Sequence, residues 1–265
     1  MMMMMAGHSK WAQIKRSKAV KDAKKGASFA KFSKEIMVAV KLGGPDPQAN
    51  FRLRTAIEKA KEVGTPNDNI KRAIEKASGL GDGMTMETLI YEGYGPGGAA
   101  ILVEAMSENR NRTAGDVRSL FTKYQGNMGA EGCVAWMFEE YGECLIPMHP
   151  QQAEETLFEQ VLEAGADDFQ TDHEAQCYRI ITSPETLNTL ANTLASAPYH
   201  LPVTEVQSQR RCQSQAVIDA FEQAYALVRL LDALEALDDV RHVFCNVVMT
   251  DEVMAQVEHK LASLH

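Results

Sequence analysis

The chain has 265 residues, of which 45% are hydrophobic and 24% are charged, and its formal net charge is -9. This is the composition of an ordinary globular protein, and the absence of any run of about 18 apolar residues excludes a membrane-spanning helix. The Met-rich start lacks the basic and apolar regions of a signal peptide, so we expect a cytoplasmic protein without membrane partners. The five cysteines and seven histidines are scattered without ligand spacing, so we expect reduced thiols, no metal and no cofactor.

The charge is divided very unevenly along the chain. Residues 1–76 contain 17 Lys and Arg against 7 Asp and Glu, a net charge of +10, whereas the remainder contains 10 against 29, a net charge of -19. Such asymmetry indicates a basic module that meets a polyanion. The acidic remainder limits indiscriminate binding to nucleic acid.

The segment GHSKWAQIKRSKAVKDAKKG, residues 7–26, carries seven cations against the single acid Asp22. On a helix, five of its lysines share an arc of roughly 120°. A solvated basic face is the alternative, but few local ion pairs are available to offset the repulsion. Trp11 can stack on a base or hold the segment against a helical bundle. We therefore predict that this segment contacts nucleic acid.

Three amphipathic helices are predicted next. The first runs to Gly43-Gly44, the second begins after Asn50 as N-cap, and the third begins at Thr65 as N-cap with Pro66 in its first turn. Short links between them predict a three-helix bundle, and three glycines between 79 and 83 mark a linker.

Two pairs of arginines lie at predicted helix starts. Arg52 and Arg54 oppose the helix dipole, which suits phosphate contact but is equally compatible with ordinary surface arginines. Arg110 and Arg112 precede a helix that we predict to begin at Thr113, where guanidinium groups and free backbone N–H groups form a phosphate cradle. Pairing of these arginines with Glu108 or Asp116 is the alternative.

The rest of the chain alternates strands and helices. Two strands over 87–107 are joined by a Pro-Gly-Gly turn, a helix follows to about 124, and a strand is predicted over 132–140. Residues 142–210 then read as β-α-β-β-α-β, the ferredoxin-like unit. A helix over about 216–237, a strand and a last helix complete the preceding α+β domain, so the ferredoxin-like unit is an insertion.

These patterns predict an α+β fold with an N-terminal three-helix bundle and basic arm, followed by two ferredoxin-like α+β domains, one inserted into the other. The predicted boundaries are 1–82 for the basic helical domain, 83–140 with 213–265 for the discontinuous domain, and 141–212 for the insertion. No catalytic motif occurs, and GYGPGG at 93–98 lacks the G-K-[ST] of a phosphate loop, so we expect no enzyme and no small-molecule substrate.

Six segments resemble the YebC family, which includes bacterial quorum-sensing regulators and the mitochondrial translational activator of cytochrome oxidase subunit one. The likeness runs from Gly7 to about Asn246 and rests on GHSKWAQIKRSKAVKDAKKG, LGGPDPQANFRLR, PNDNIKRAI, YEGYGPGGAAILVEAMSENRNRT, GNMGAEGCVAWMF and LDALEALDDVRHVFCN. The resemblance implies three domains and a DNA-binding, probable transcriptional regulator. Some members are described as ribosome-associated factors that relieve stalling at proline-rich stretches. The family's N-terminal motif matches His8, Lys10, Trp11, Ile14 and Lys15.

The sequence departs from the family pattern at two places. Phe51 stands where the family usually has proline after Asn50. The segment QSQRRCQSQA at 207–216 differs from the segment that usually leads into the last helix. The first departure lies within LGGPDPQANFRLR and removes a proline from the first helical position, and the second concerns the hinge between the two α+β domains.

The sequence therefore predicts a non-enzymatic nucleic-acid-binding regulator. DNA at promoters and ribosomal RNA during translation stay open as targets, because phosphate contacts carry no sequence information. A protein-interaction adaptor acting through the acidic domains is the third alternative. The predicted nucleic-acid-binding residues are His8, Lys10, Trp11, Lys15, Arg16, Lys18, Lys21, Lys24, Lys25, Arg52, Arg54, Arg110 and Arg112.

Overall fold

The computed structural model describes residues 29–79 and 87–263. Contacts divide these residues into two compact units. Unit one holds residues 29–31, 87–139 and 211–263, and unit two holds residues 32–79 and 140–210. The predicted boundaries of three separate domains stay a prediction.

The three predicted N-terminal helices are present, and the elements are α1 Phe29–Gly43, α2 Phe51–Glu62 and α3 Asn67–Ala77. Asn50 is the N-cap of α2, as predicted, because its side-chain oxygen accepts a hydrogen bond from the Leu53 N–H at 3.0 Å. The same side chain donates to the Ala39 carbonyl at 2.8 Å, which joins the start of α2 to α1. The buried side-chain amide of Asn50 thus caps the start of α2 and also holds α1 against it.

The predicted start of the third helix was wrong by one residue. Pro66, not Thr65, is the N-cap of α3. Thr65 instead completes the end of α2, where its N–H donates to the Ala60 carbonyl and Gly64, at φ +82°, donates to Lys61. This is the Schellman arrangement, which requires a left-handed residue at the position of Gly64. Because Thr65 is held in that motif, its hydroxyl does not cap α3.

Replacing Thr65 with Val should stabilise unit two. The Thr65 residue is 5% exposed, and its hydroxyl oxygen has no hydrogen-bond partner among the described residues. Removing a buried, unsatisfied hydroxyl while keeping the shape should raise the free energy of unfolding by about 1 kcal/mol. Urea denaturation measures this, with Thr65→Ser as the control that keeps the hydroxyl and loses the methyl. A loss of stability in Thr65→Val would contradict the prediction.

Unit two also contains the predicted ferredoxin-like sheet, with elements β4 Phe138–Pro147, α5 Glu154–Glu163, β5 Asp168–Asp172, β6 Cys177–Thr182, α6 Leu187–Ala195 and β7 Glu205–Cys212. The strand order β5-β6-β4-β7 is that of the ferredoxin-like β-α-β-β-α-β unit. The first residues of β4 and the last of β7 belong to unit one. The core between the sheet and its helices includes Cys144, Ile146, Leu157, Val161, Ile180, Leu190 and Leu194.

Helix α2 packs within unit two against this sheet domain. Phe51, the first residue of α2, packs against the core cluster beneath α5 and α6, and α2 contacts α6. Lys59 donates to the Glu205 carboxylate at 2.9 Å, with both side chains about two-fifths exposed. The aromatic side chain at the first helical position, where the family usually has proline, therefore contributes buried apolar area in place of a fixed φ.

Unit one contains the second sheet, with elements β1 Glu87–Tyr94, β2 Ala100–Ser107, α4 Arg110–Lys123, β3 Asn127–Met128, β8 Ala216–Ile218, α7 Phe221–Glu235, β9 Val240–Cys245, β10 Val247–Met249 and α8 Asp251–Ala262. The sheet order is β3-β1-β2-β9, and every neighbouring pair is antiparallel. The order of the strands in this sheet is again ferredoxin-like, but their order along the chain is permuted. In the usual unit the strand at the position of β1 comes just before the second helix, here α7, whereas in this chain it comes first. The predicted α+β fold class is confirmed, including the chain order in which one sheet domain interrupts the other.

Two local predictions in unit one were wrong. Residues 132–137 do not form a strand: a 3-10 turn covers Ala135–Met137, and β4 begins at Phe138. Residues 216–218, predicted as the start of a helix, form β8 and pair in parallel with β10. The hairpin between β1 and β2 is confirmed, with a 3-10 turn at Pro96–Gly98.

Candidate nucleic-acid interface

Most of the predicted nucleic-acid-binding residues lie outside the residues that the structure describes. They are His8, Lys10, Trp11, Lys15, Arg16, Lys18, Lys21, Lys24 and Lys25. Their contact with nucleic acid stays a prediction from the sequence. The structure places the other four residues, two in each unit, at the starts of α2 and α4.

Arg52 and Arg54 lie in the first turn of α2, as predicted. The guanidinium of Arg54 stacks 5.0 Å from the centre of the Phe51 ring, and its Nη1 donates to the Pro47 carbonyl at 3.4 Å. Arg52 is half-buried, and its residue also interacts with other groups of the protein. The guanidinium of Arg54 is thus held close to the helix start, where it raises the positive potential that an anion would meet.

Arg110 and Arg112 lie inside the first turn of α4 rather than before it. The helix begins at Arg110, and its N-cap is Asn109, whose side-chain oxygen accepts from the Arg112 N–H at 3.1 Å. The prediction of Thr113 as N-cap was therefore wrong. Thr113 is buried in the helix, where its hydroxyl donates to a carboxylate from a distant part of the chain.

That carboxylate belongs to Asp239, just before β9. A single oxygen, Oδ2, accepts from Thr113 at 2.6 Å, from Arg112 Nη2 at 2.8 Å and from Ser107 Oγ at 3.1 Å. Asp239 is 9% exposed, and its carbonyl accepts from the Met106 N–H at 2.7 Å. The residue therefore ties together the end of β2, the start of α4 and the start of β9. Its negative charge also faces the positive end of the α4 dipole.

The two arginines at the start of α4, Arg110 and Arg112, therefore have different surroundings. Arg112 is paired with Asp239, not with the predicted alternatives Glu108 or Asp116; its hydrogen bond to Asp239 raises its pKa, and Asp116 adds only a weaker attraction. Arg110 is exposed, and its side chain has no hydrogen bond or ion pair within the described ranges. Its carbonyl accepts from the Tyr91 hydroxyl at 3.3 Å, which fixes the backbone. Arg110 is the guanidinium that this helix start can offer to a phosphate.

We expect Asp239→Asn to destabilise unit one. Asparagine keeps one oxygen acceptor but loses the charge that pairs with Arg112, so the free energy of unfolding should fall by about 2 kcal/mol. The matched control is Asp238→Asn, the neighbouring exposed acid, for which we expect a change within about 0.5 kcal/mol. Denaturant unfolding measures both. Equal effects of the two substitutions would show that Asp239 has no special structural role.

A second buried carboxylate, which the sequence analysis did not single out, organises the turn before β4. Glu92 is 3% exposed, and its two oxygens accept from the backbone N–H groups of Gly132, Val134 and Ala135 at 2.7 to 2.8 Å. Burial acts to raise the pKa of Glu92, but these three hydrogen bonds outweigh it and lower the pKa from its ordinary value. The only sequence signal was an acid at an otherwise apolar strand position.

Within the described residues, no group of three or more His, Cys, Asp or Glu side chains is arranged to hold a metal ion. All five cysteines are free thiols. Burial raises the pKa of Cys144 and of Cys245 to about 12, so both stay protonated at neutral pH. In the same part of the chain, no helix combines the length and the apolar character needed to cross a bilayer.

Comparison with known proteins identifies the family. Two family models match the chain: the TACO1/YebC protein N-terminal domain over residues 9–80, and the TACO1/YebC second and third domain over residues 86–247. The chain belongs to the TACO1/YebC family. The N-terminal domain of the family thus includes the basic segment from residue 9 onward.

Relatives of the TACO1/YebC family match the chain over nearly its full length. A protein of Cyanothece sp. named probable transcriptional regulatory protein is 48% identical over 256 residues, covering 96% of this chain and 99% of the relative. A protein of the same name from Persephonella marina is 46% identical over 253 residues, covering 96% and 100%. The crystal structure of a conserved hypothetical protein from Aquifex aeolicus shares 43% identity and a TM-score of 0.71, covering 87% of this chain and 93% of that one. The chain is thus a member of a family whose relatives are named as regulators.

Proposed function

We propose that this protein is a non-enzymatic, cytoplasmic nucleic-acid-binding regulator that binds DNA through its basic N-terminal domain. The division of charge carries the proposal: residues 1–76 have a net charge of +10, and the remainder has a net charge of -19. Mutual repulsion of so many cations is unfavourable unless a polyanion is present. The role in transcription is supported by the names of the relatives from Cyanothece and Persephonella.

The described helices α1 to α3 support a phosphate-binding role. Residues 29–76 contain ten Lys and Arg against six Asp and Glu. Lys71 and Arg72 are exposed on α3, while Lys71 forms only a long ion pair of 3.9 Å with Glu75. Such exposed pairs contribute about 1 kcal/mol or less, so a phosphate can replace them at small cost.

Ribosomal RNA is the second candidate target, and the surface of α3 favours it. The exposed residues of this helix mix acids and bases in Asp68, Lys71, Arg72 and Glu75. A helix that reads bases in the DNA major groove carries a set of Arg, Asn or Gln directed at base edges. Helix α3 exposes Asn67 and Arg72, but the exposed acids Asp68 and Glu75 on the same helix oppose its entry between the two phosphate backbones of the groove, which favours backbone recognition of structured RNA or weakly specific DNA. The protein would then act in translation as a ribosome-associated factor that relieves stalling at proline-rich stretches.

Crosslinking with sequencing of the bound nucleic acid, combined with ribosome co-sedimentation, tests the proposal in cells. Crosslinks mainly to chromosomal sites, without co-sedimentation, are expected for a transcriptional regulator. Crosslinks mainly to ribosomal RNA, with co-sedimentation, would reject the promoter role in favour of the ribosomal one. Recovery of neither nucleic acid above the level of an uncrosslinked sample would overturn both.

A further inference from the structure

Trp136 stands out on the surface of unit one. Its residue is 70% exposed, the highest value among the large apolar side chains that the structure describes. A tryptophan left in water forgoes the burial of a large apolar area. Trp is also the residue type most enriched among the energetic centres of protein interfaces. The hydrogen bonds of the turn around Trp136 hold this exposed side chain in place.

The turn that carries Trp136 is fixed on three sides. The buried Glu92 carboxylate binds three of its N–H groups, the Tyr94 hydroxyl donates to the Cys133 carbonyl at 3.1 Å, and the Gln213 N–H donates to the Met137 carbonyl at 3.0 Å. A buried charge is costly unless it is fully hydrogen-bonded, and here it is. The backbone beside Trp136 is thereby held in one conformation.

The side chains two residues before and two residues after Trp136 are buried. Val134 and Phe138 are buried in a cluster with Leu102 and Phe244, on the sheet of unit one. The side chain between them is left outside by this anchoring. A rigid aromatic side chain loses little conformational entropy on binding, which is how aromatic residues gain affinity at small cost in recognition surfaces.

The charge around the turn indicates what Trp136 would bind. The described residues of unit one, apart from 29–31, contain 16 Asp and Glu against 8 Lys and Arg, a net charge of -8. Glu131 and Glu139 flank the turn in the chain, and Glu139 pairs at 2.8 Å with Arg211 while both side chains stay more than two-fifths exposed. An exposed pair of this kind opens easily to another cation. The net charge of unit one therefore favours Lys and Arg side chains over a phosphate chain.

We propose that Trp136 is the docking residue for a cationic polypeptide segment of a partner protein, whose Lys or Arg side chain stacks on the indole ring between Glu131 and Glu139. Cation–π contact with Trp is the strongest of its kind, and the flanking carboxylates add electrostatic complementarity. This proposal does not depend on the nucleic-acid contacts proposed above.

The test uses the full chain with Trp11→Phe, so that Trp136 is the one remaining tryptophan of two. The probe is a synthetic peptide of alternating lysine and glycine, and binding is followed by tryptophan emission and by anisotropy of the labelled peptide. We expect a change in emission, and a loss of affinity of about five- to thirtyfold for Trp136→Ala. Trp136→Phe should lose less, because phenylalanine keeps an aromatic face.

The matched control is Val217→Ala, which truncates another exposed apolar side chain of the same unit, 68% exposed. Its affinity for the lysine peptide should equal that of the parent, and the melting temperatures of all variants should agree. Unchanged affinity in Trp136→Ala would overturn the proposal. It would also be overturned if oligouridylate, rather than the peptide, changed the Trp136 emission and lost affinity in Trp136→Ala, because the occupant would then be a nucleic-acid base.

Discussion

Replacing Lys18, Lys21, Lys24 and Lys25 together with Gln is expected to weaken nucleic-acid binding by about a thousandfold at 0.15 M salt. Each lysine that contacts a phosphate releases a condensed counterion, so four lost contacts also make the slope of log K against log salt less negative by about 3.6 on duplex DNA. The measurement is fluorescence anisotropy of a labelled duplex, and of a labelled ribosomal RNA fragment, over a salt series.

The control for this variant changes charge outside the basic module. Arg118, Lys123 and Lys260 are exposed in unit one, and their replacement by Gln should leave both the affinity and the salt slope nearly unchanged. If the two sets of substitutions weakened binding equally, net charge rather than the N-terminal segment would control affinity. If neither did so, the segment would have no part in binding.

Glu92→Gln should destabilise unit one by about 3 kcal/mol at neutral pH. The amide keeps one oxygen acceptor, but its NH2 group would face backbone N–H groups that now donate to a carboxylate. Two donors facing each other in a buried site leave at least one N–H unsatisfied. The matched control is Glu131→Gln, an exposed acid of the same turn, which should change the free energy of unfolding by no more than about 0.5 kcal/mol.

The destabilisation by Glu92→Gln should also depend on pH. The hydrogen bonds from Gly132, Val134 and Ala135 lower the folded-state pKa of Glu92 below its ordinary value of 4.5, against the opposing effect of burial. The stability that the carboxylate contributes is therefore complete above the unfolded-state pKa and is lost as the pH falls through the folded-state pKa. Urea unfolding of both proteins from neutral to acidic pH should show the difference narrowing only in acid. A constant difference would mean that the carboxylate is not ionised in the fold.

Local signals in the sequence predicted elements well where both partners of a contact are close in the chain. The Asn50 cap, the end of α1 at Gly43 and the hairpin at Pro96–Gly98 depend on neighbours within a few residues. The alternation of strands and helices also gave the β-α-β-β-α-β order of the inserted sheet domain. Each of these features follows from backbone geometry and periodicity alone.

Two of the failures share a physical cause, since each depends on a partner far away in the chain, whereas the start of α3 was misplaced because the Thr65 N–H takes part in the local hydrogen bonds that end α2. The start of α4 was misplaced because Thr113 serves Asp239, 126 residues later, rather than the helix start. Residues 132–137 look like a strand, but Glu92, 40 or more residues earlier, takes their N–H groups and bends them into a turn. A periodic pattern shows where a side chain is apolar and does not reveal a distant carboxylate that competes for the backbone.

The candidate interface was predicted from charge, and the structure sharpens part of it. Among the four predicted residues that it places, Arg112 is paired with the buried Asp239, while Arg110 is exposed at the same helix start. The sequence did not reveal this difference because both residues belong to one short basic motif. Arg110 is therefore the arginine of α4 to test in binding, and Arg112 the one to test in stability.

The salt dependence of binding by the full chain tests the central claim most directly. If the basic N-terminal module binds nucleic acid through phosphates, log K should fall linearly with log salt, with a slope of about -0.9 for each phosphate neutralised on duplex DNA. A slope corresponding to several phosphates is the predicted result. A response that stays flat across the salt series, or binding that is undetectable even at low salt, would contradict the account.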